Sequence, residues 1–287
     1  MGTGGTRAGG AITLWVVDRG NTRVKVGGFD AGGRLREVHL YESGERGGDA
    51  AALAWLSARR APRAFALLST AAGEERWRAR LGALAPVWTY APGSPAPLRV
   101  AYATPATLGV DRLAAAVAAA ARAPGAACLV VDAGTCITTE RVSAAGVYLG
   151  GTIAPGLRMR LRAMHEFTGK LPLVSASSHD HYDGAGSEPD ARRSANPLAG
   201  TFGTDTPSAL WHGAVGGAAL EVAARVAAFR AERPGGYVVV SGGDGPFLRP
   251  LLPSGPELRP HLVLEGLAHM YAYAQSPSTP TPRPPAG

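Results

Sequence analysis

Apolar and polar positions follow one another in short blocks along the chain, and the blocks lay out an α/β protein. The apolar run 12–17 ends in Asp18-Arg19-Gly20-Asn21-Thr22, which predicts a buried strand, a turn and a second strand over 23–29. A third strand is expected over 34–41, a helix over 49–60, a strand over 64–69, a helix over 74–84 and a short strand over 87–90. The alanine-rich stretch 109–122 predicts a helix on propensity alone. The design of the first hairpin then returns. Apolar 128–131 ends in Asp132-Ala133-Gly134-Thr135, and a β-branched run from Ile137 leads on to Val142.

A strand over 147–149 completes this meander, and Ala154-Pro155-Gly156 is expected to open a helix, with Pro155 in its first turn. A long helix is predicted over 207–232, with a break at Gly216-Gly217. A buried strand over 237–240 leads into Ser241-Gly242-Gly243-Asp244, and a helix over 262–275 follows. Hairpins followed by strands alternating with helices imply mixed sheets with helices on their faces. The repeated strand–turn–strand unit argues for a duplication, with one half over 11–122 and the other over 123–275. Residues 1–10 and the Pro-rich 276–287 are expected to be disordered tails, and the polar stretch 175–204 a long loop.

Composition narrows the chemistry. The 287 residues are 46% hydrophobic and 18% charged, which excludes intrinsic disorder for the body. The net charge of +7 comes from 29 Lys+Arg against 22 Asp+Glu, but the basic residues are scattered, so nucleic acid is not an expected partner. Lysine occurs only at 25 and 170, and Gly169-Lys170-Leu171 matches no G-x-x-x-x-G-K-S/T phosphate loop. Cys128 and Cys136 form no disulfide framework; a cytoplasmic setting and two small structural side chains are the simpler reading than a catalytic thiol. The N-terminal segment resembles both a myristoylation pattern and a signal peptide, each weakly, and no apolar run is long enough for a membrane span.

A carboxylate at a strand end, followed by a glycine turn with hydroxyls, suits phosphate and Mg²⁺, although a single such turn is also an ordinary hairpin. Two copies, and a Gly-Gly after a third buried strand, favour nucleotide phosphate. Asp111 in the first turn of the alanine-rich helix could merely complement the helix dipole; beside Arg112 it could also serve as a base next to a carboxylate clamp. Lys25 could touch phosphate or face solvent. His179-Asp180-His181 with Asp183 lacks a fourth ligand at zinc-like spacing and reads as a solvated loop.

Four motifs in order, Asp18-x-Gly20-Asn21-Thr22, Gly109-x-Asp111-Arg112, Asp132-x-Gly134-Thr135 and Gly150-Gly151-x-Ile153-x-Pro155-Gly156, resemble type III pantothenate kinase from about Ile12 to Tyr273. The resemblance implies two ribonuclease-H-like halves of the acetate kinase, sugar kinase and actin superfamily, with the active site in the cleft between them. It implies a cytoplasmic homodimer that phosphorylates the terminal hydroxyl of pantothenate with ATP, using Mg²⁺ and a monovalent cation, K⁺ or NH₄⁺. Asp18, Arg19, Gly20, Asn21, Thr22, Arg23, Val24 and Lys25 would then line the ATP phosphates, with Asp18 anchoring Mg²⁺ and Thr135 contacting nucleotide. Asp111 would be the general base, and Tyr102, Gly109, Val110, Asp111 and Arg112 would hold pantothenate. Thr206, heading a T-x-x-A-x-x-x-G stretch with Ala209 and Gly213, would be a further substrate contact, Asp132 would bind the monovalent cation, and Gly242-Gly243 would lie near adenosine. Arg19 departs from the family, which usually has a small or apolar residue there. A regulator on the same fold without turnover, or a kinase for another small hydroxy acid, are the alternatives.

Overall fold

The computed structural model describes residues 11–43, 47–175 and 202–276. Both tails, apart from Ser276, and most of the 175–204 stretch, with His179, Asp180, His181 and Asp183, lie outside the described residues. The described chain divides into two compact units. One contains the residues up to Arg122, Gly146–Tyr148 and those from His261 onward; the other contains Ala123–Ala145 and Leu149–Pro260. The C-terminal helix, expected in the second half, therefore packs within the first unit.

In the first unit, β1 (Ile12–Arg19), β2 (Arg23–Asp30), β3 (Leu35–Glu42), β4 (Ala64–Ser69) and β5 (Val87–Trp88) form a sheet in the order β3-β2-β1-β4-β5. β1 runs antiparallel to β2 and parallel to β4. Successive side chains on a strand face opposite ways, so β1 sorts its residues onto two faces. Trp15 and Val17 join a core with α1 (Gly48–Ser57) and α2 (Glu74–Gly82), through Leu53, Leu56, Trp77 and Leu81. The other face is covered by α8 (Leu262–Ala274), whose Leu264 lies against Gly27 of β2. α8 in turn packs on α3 (Val110–Arg122): a Cβ on Gly266 would lie 1.8 Å from the Ala114 carbonyl oxygen, so only glycine allows this approach. That close packing, with Ala114–Ala119 all buried, fixes the helix that begins with Val110, Asp111 and Arg112. β6 (Arg99–Val100) pairs with Val147 and Tyr148 at the start of β9 (Val147–Pro155).

In the second unit, β7 (Cys128–Ala133), β8 (Cys136–Val142), the rest of β9, β10 (Tyr237–Ser241) and β11 (Glu257–Leu258) run in the order β11-β10-β7-β8-β9. Leu129, Val131 and Ala133 of β7 pack on Val222, Val226 and Phe229 of α6 (Gly217–Glu232), repeating the plan of the first sheet. Two expectations are corrected here. Pro155 ends β9 and does not enter a helix; Gly156 is extended, and α4 (Leu157–Glu166) starts after it. The long helix is three pieces, α5 (Thr206–Trp211), a π-helical stretch His212–Gly216 and α6, so the irregularity begins before the glycine pair. A short α7 (Gly245–Leu248) follows β10.

Candidate active site

The first-unit site grows from the end of β1. Asp18, on the α8 face of the strand, is 7% exposed and lies directly across from Lys25 in the β1–β2 register. The Lys25 ammonium sits 3.4 Å from the Asp18 carboxylate, so this lysine neither faces solvent alone nor stands apart from the motif. Burial pushes the Asp18 carboxyl above the ordinary carboxylate range; Lys25 opposes that shift, and the like charge of Asp111 adds to it. The two aspartates flagged by separate motifs, 93 residues apart in sequence (111 − 18), thus feel one another within a single unit.

The turn after Asp18 is held from behind. Gly20 N–H donates to the Arg23 carbonyl at 2.9 Å, Ser43 N–H to the Thr22 carbonyl at 2.9 Å, and Ser43 Oγ–H to the Gly20 carbonyl at 2.7 Å. Thr70 N–H donates to the Arg19 carbonyl at 3.0 Å. With these bonds on its inner side, the turn presents exposed Asn21, Thr22 and Arg23 outward, while Val24 is fully buried and serves the core. The Arg19 side chain leaves on the opposite face from Asp18 and is taken up by Asp49, Ser69, Ala71 and Ala72. What Arg19 offers the turn is its backbone.

At the start of α3, Asp111 Oδ1 accepts the Arg112 N–H at 2.9 Å, and a side chain on Gly109 would meet that same oxygen at 2.5 Å. Arg112 is buried to 7% exposure, with its guanidinium 5.9 Å from the centre of the Tyr102 ring. Tyr102 in turn lies 6.0 Å from the ring of Tyr148, which is fully buried. Arg112 is therefore a preorganised cation on an aromatic support, next to a carboxylate. Tyr148 reaches Tyr102 only because β6 pairs with β9, a contact no local pattern announces.

The second-unit motif is built at the end of β7. Asp132 is half-buried, and across the β7–β8 register it faces Thr138. Gly242 packs against it at φ +85°, where a Cβ would lie 2.1 Å from the Ala133 carbonyl and 2.5 Å from Asp132 Oδ1. Asp244 N–H donates to the Ala133 carbonyl at 2.9 Å, and Gly156 N–H to the Thr135 carbonyl at 3.1 Å, so Gly242, Asp244 and Gly156 converge on this turn. Thr135 itself is exposed. Thr206 is the first residue of α5, behind an Asp205–Ser208 capping box, and lines an open groove of about 490 Å³ with Met164, Leu171, Gly203 and Ala209. Cys128 is buried with its thiol pushed up to about 11, so it stays protonated at neutral pH and serves packing.

Among the described residues no group of three or more His, Cys, Asp and Glu side chains comes together, and no helix is long and apolar enough to cross a membrane. A divalent ion at Asp18 would complete its shell with phosphate oxygens and water, as Mg²⁺ commonly does. The raised Asp18 carboxyl beside Asp111 fits that role, because a hard cation relieves both the burial and the like-charge repulsion.

Comparison with known proteins places the chain in a family. A curated relative from Porphyromonas gingivalis named type III pantothenate kinase is 39% identical over 180 residues, covering 63% of this chain and 67% of the relative. One of the same name from Bacteroides fragilis is 41% identical over 180 residues, covering 63% and 66%. The chain spans about two thirds of the length of these relatives. Among solved structures, a protein from Campylobacter jejuni named as a Baf family transcriptional activator superposes with TM-score 0.55 at 18% identity, covering 90% of this chain and 98% of that one. A protein from Listeria monocytogenes named as an N-acetylmannosamine kinase superposes with TM-score 0.50 at 12% identity, covering 92% and 99%. These two likenesses show the fold alone: mixed sheets with helices on their faces. The family model for type III pantothenate kinase matches residues 14–228, three quarters of the sequence and both aspartate turns, and the chain belongs to that family.

Proposed function

We propose that the chain transfers the γ-phosphoryl group of ATP to the terminal hydroxyl of pantothenate, giving 4′-phosphopantothenate and ADP, the first step toward coenzyme A. The observation that carries the reading is the pairing of Asp18 with Asp111 in one unit, flanked by Lys25 on one side and Arg112 on the other. Asp111 accepts the hydroxyl proton as the oxygen bonds to phosphorus, and the bond to the ADP oxygen breaks with its electron pair leaving on ADP. Arg112, stiffened by Tyr102, holds the pantothenate carboxylate. The outward Asn21, Thr22 and Arg23 contact ATP phosphates, and Asp18 anchors Mg²⁺. Mg²⁺ when bound supplies neutralisation of charge on the transferred group. Lys25, against the effect of burial, favours the ionised form of Asp18.

In the second unit, Asp132 is proposed for K⁺ or NH₄⁺, Thr135 for nucleotide, and Thr206 for substrate on its family motif. A homodimer accords with the exposed apolar side chains of the β9–α4 region, Leu149, Ile153, Met159 and Phe167, the last 85% exposed. Cytoplasmic location accords with the substrates. The test is ADP release measured with pantothenate against a panel of hydroxy acids and sugars, with and without K⁺ or NH₄⁺. Pantothenate-dependent, cation-stimulated release is expected; none under any cation would move the reading to a regulator on this fold.

A further inference from the structure

Arg19 follows the Asp18 carboxylate in sequence, yet its side chain, 9% exposed, lies on the other side of the sheet, away from the phosphate turn. Arg19 Nε donates to Asp49 Oδ2 at 2.9 Å, and Nη2 stands 2.8 Å from the same oxygen. Nη1 donates to Ser69 Oγ at 3.2 Å, to the Ala71 carbonyl at 3.0 Å and to the Ala72 carbonyl at 2.7 Å. Asp49 belongs to the first turn of α1, and its Oδ2 also accepts the indole N–H of Trp77 in α2 at 3.3 Å. One planar cation therefore ties the last residue of β1 to α1, to the exit of β4 and, through Asp49, to α2. Its own carbonyl is bound by Thr70 from the same β4 exit. Both the side chain and the backbone of the residue between Asp18 and Gly20 are thus clamped.

We infer that Arg19 is a positioning residue for nucleotide binding: held by Asp49 and the 69–72 segment, it fixes the direction in which Asp18 and the Gly20–Thr22 turn face the ATP phosphates. The physical reason is rigidity. A short turn after a strand end can rock about that end, and misplacement of a phosphate-binding group by an ångström costs on the order of 10²-fold when groups must align. A guanidinium with several hydrogen bonds in one plane resists that rocking in a way a single contact does not. The inference rests on the proposed ATP role of this turn but not on the identity of the acceptor.

The test uses the full chain and titrates ATP with Mg²⁺ without acceptor, then measures steady-state kinetics with pantothenate. Arg19→Met and Asp49→Asn are compared with the parent, with melting temperature recorded for each. Arg19→Met is expected to weaken ATP binding about 10-fold and raise KM for ATP by the same factor, with KM for pantothenate within about twofold. Arg19→Lys keeps the charge without the fork and is expected to recover part of the loss; Asp49→Asn is expected to weaken ATP about threefold while folding normally. In the Arg19→Met/Asp49→Asn double variant ATP binding is expected to match Arg19→Met alone, since both act through one contact. Lowered melting temperature with unchanged ATP affinity in the folded fraction, for Arg19→Met or for Asp49→Asn if the former does not fold, overturns the inference. A parent that binds ATP but releases no ADP with pantothenate sinks the proposed acceptor and leaves the Arg19 test readable.

Discussion

The two aspartate turns have the same plan and are furnished differently. In each, a buried strand has an aspartate as its last residue but one, the carbonyl of its last residue is bound from the exit of a neighbouring parallel strand, and a glycine begins the turn. Thr70 N–H serves Arg19 and Asp244 N–H serves Ala133. The residues across the hairpin differ: Asp18 faces Lys25, whereas Asp132 faces Thr138. So do the residues that follow, a clamped arginine in the first and a core alanine in the second. The first carboxylate is buried, paired with a cation and coupled to Asp111; the second is half-buried against the backbone of Gly242. On the proposed roles, the same turn, duplicated, serves phosphate and metal in one unit and a monovalent cation in the other, and the residues across each hairpin are what differs.

Removing the two charges in turn should separate them. The largest effect is expected for Asp18→Asn, with kcat/KM for ATP lowered at least about 10²-fold, the scale of one preorganised electrostatic group. The same variant is expected to be more stable at neutral pH, by about 1–4 °C in Tm. The Asp18 carboxyl is raised above its ordinary 3.8, so its contribution to stability is complete below pH 3.8 and is lost as pH rises through the folded-state value. The gain in Tm of the variant should accordingly shrink as the pH is lowered toward that range. A variant less stable than the parent at neutral pH would show that Lys25 outweighs burial.

Asp132→Asn should cost less and differently. The K⁺ or NH₄⁺ needed for half-activation is expected to rise about 10- to 100-fold, the loss of one charged contact of about 1.5–3 kcal/mol, with ATP affinity changed little at saturating cation. An unchanged cation dependence would remove Asp132 from that role. Smallest on turnover is the effect of Gly266→Ala, which presses a methyl against the Ala114 backbone and loosens α3 in the first unit. A Tm lower by about 2–10 °C is expected, from an overpacking cost of about 1–3 kcal/mol. Calorimetry on that variant reads how firmly the Asp111 helix is held.

Much of this was legible in the chain because it is local. Apolar runs closed by Asp-x-Gly mark both hairpins, and the helix starting near Asp111 falls within one residue of its expected place. Pro155 was misleading because a proline that precedes an extended glycine can end a strand as readily as open a helix; the Gly156 N–H is used by Thr135 of the turn. The two-residue strands β6 and β11 carry too few side chains to form a pattern. The Arg19–Asp49 clamp joins residues 30 apart in sequence, and the α3–α8 contact joins Ala114 to Gly266; neither has any periodicity to announce it. Packing brings α8 back to the first unit, where the sequence order suggests the second.

The central claim, that the Asp18–Asp111 pair of the first unit is the centre of phosphoryl transfer, is tested most directly by Asp111→Asn in a single-turnover assay with ATP and pantothenate. The rate is expected to fall at least about 10²-fold, the range of a lost general base, while ATP affinity stays within about twofold of the parent. Phosphopantothenate formation at a near-parental rate would contradict it.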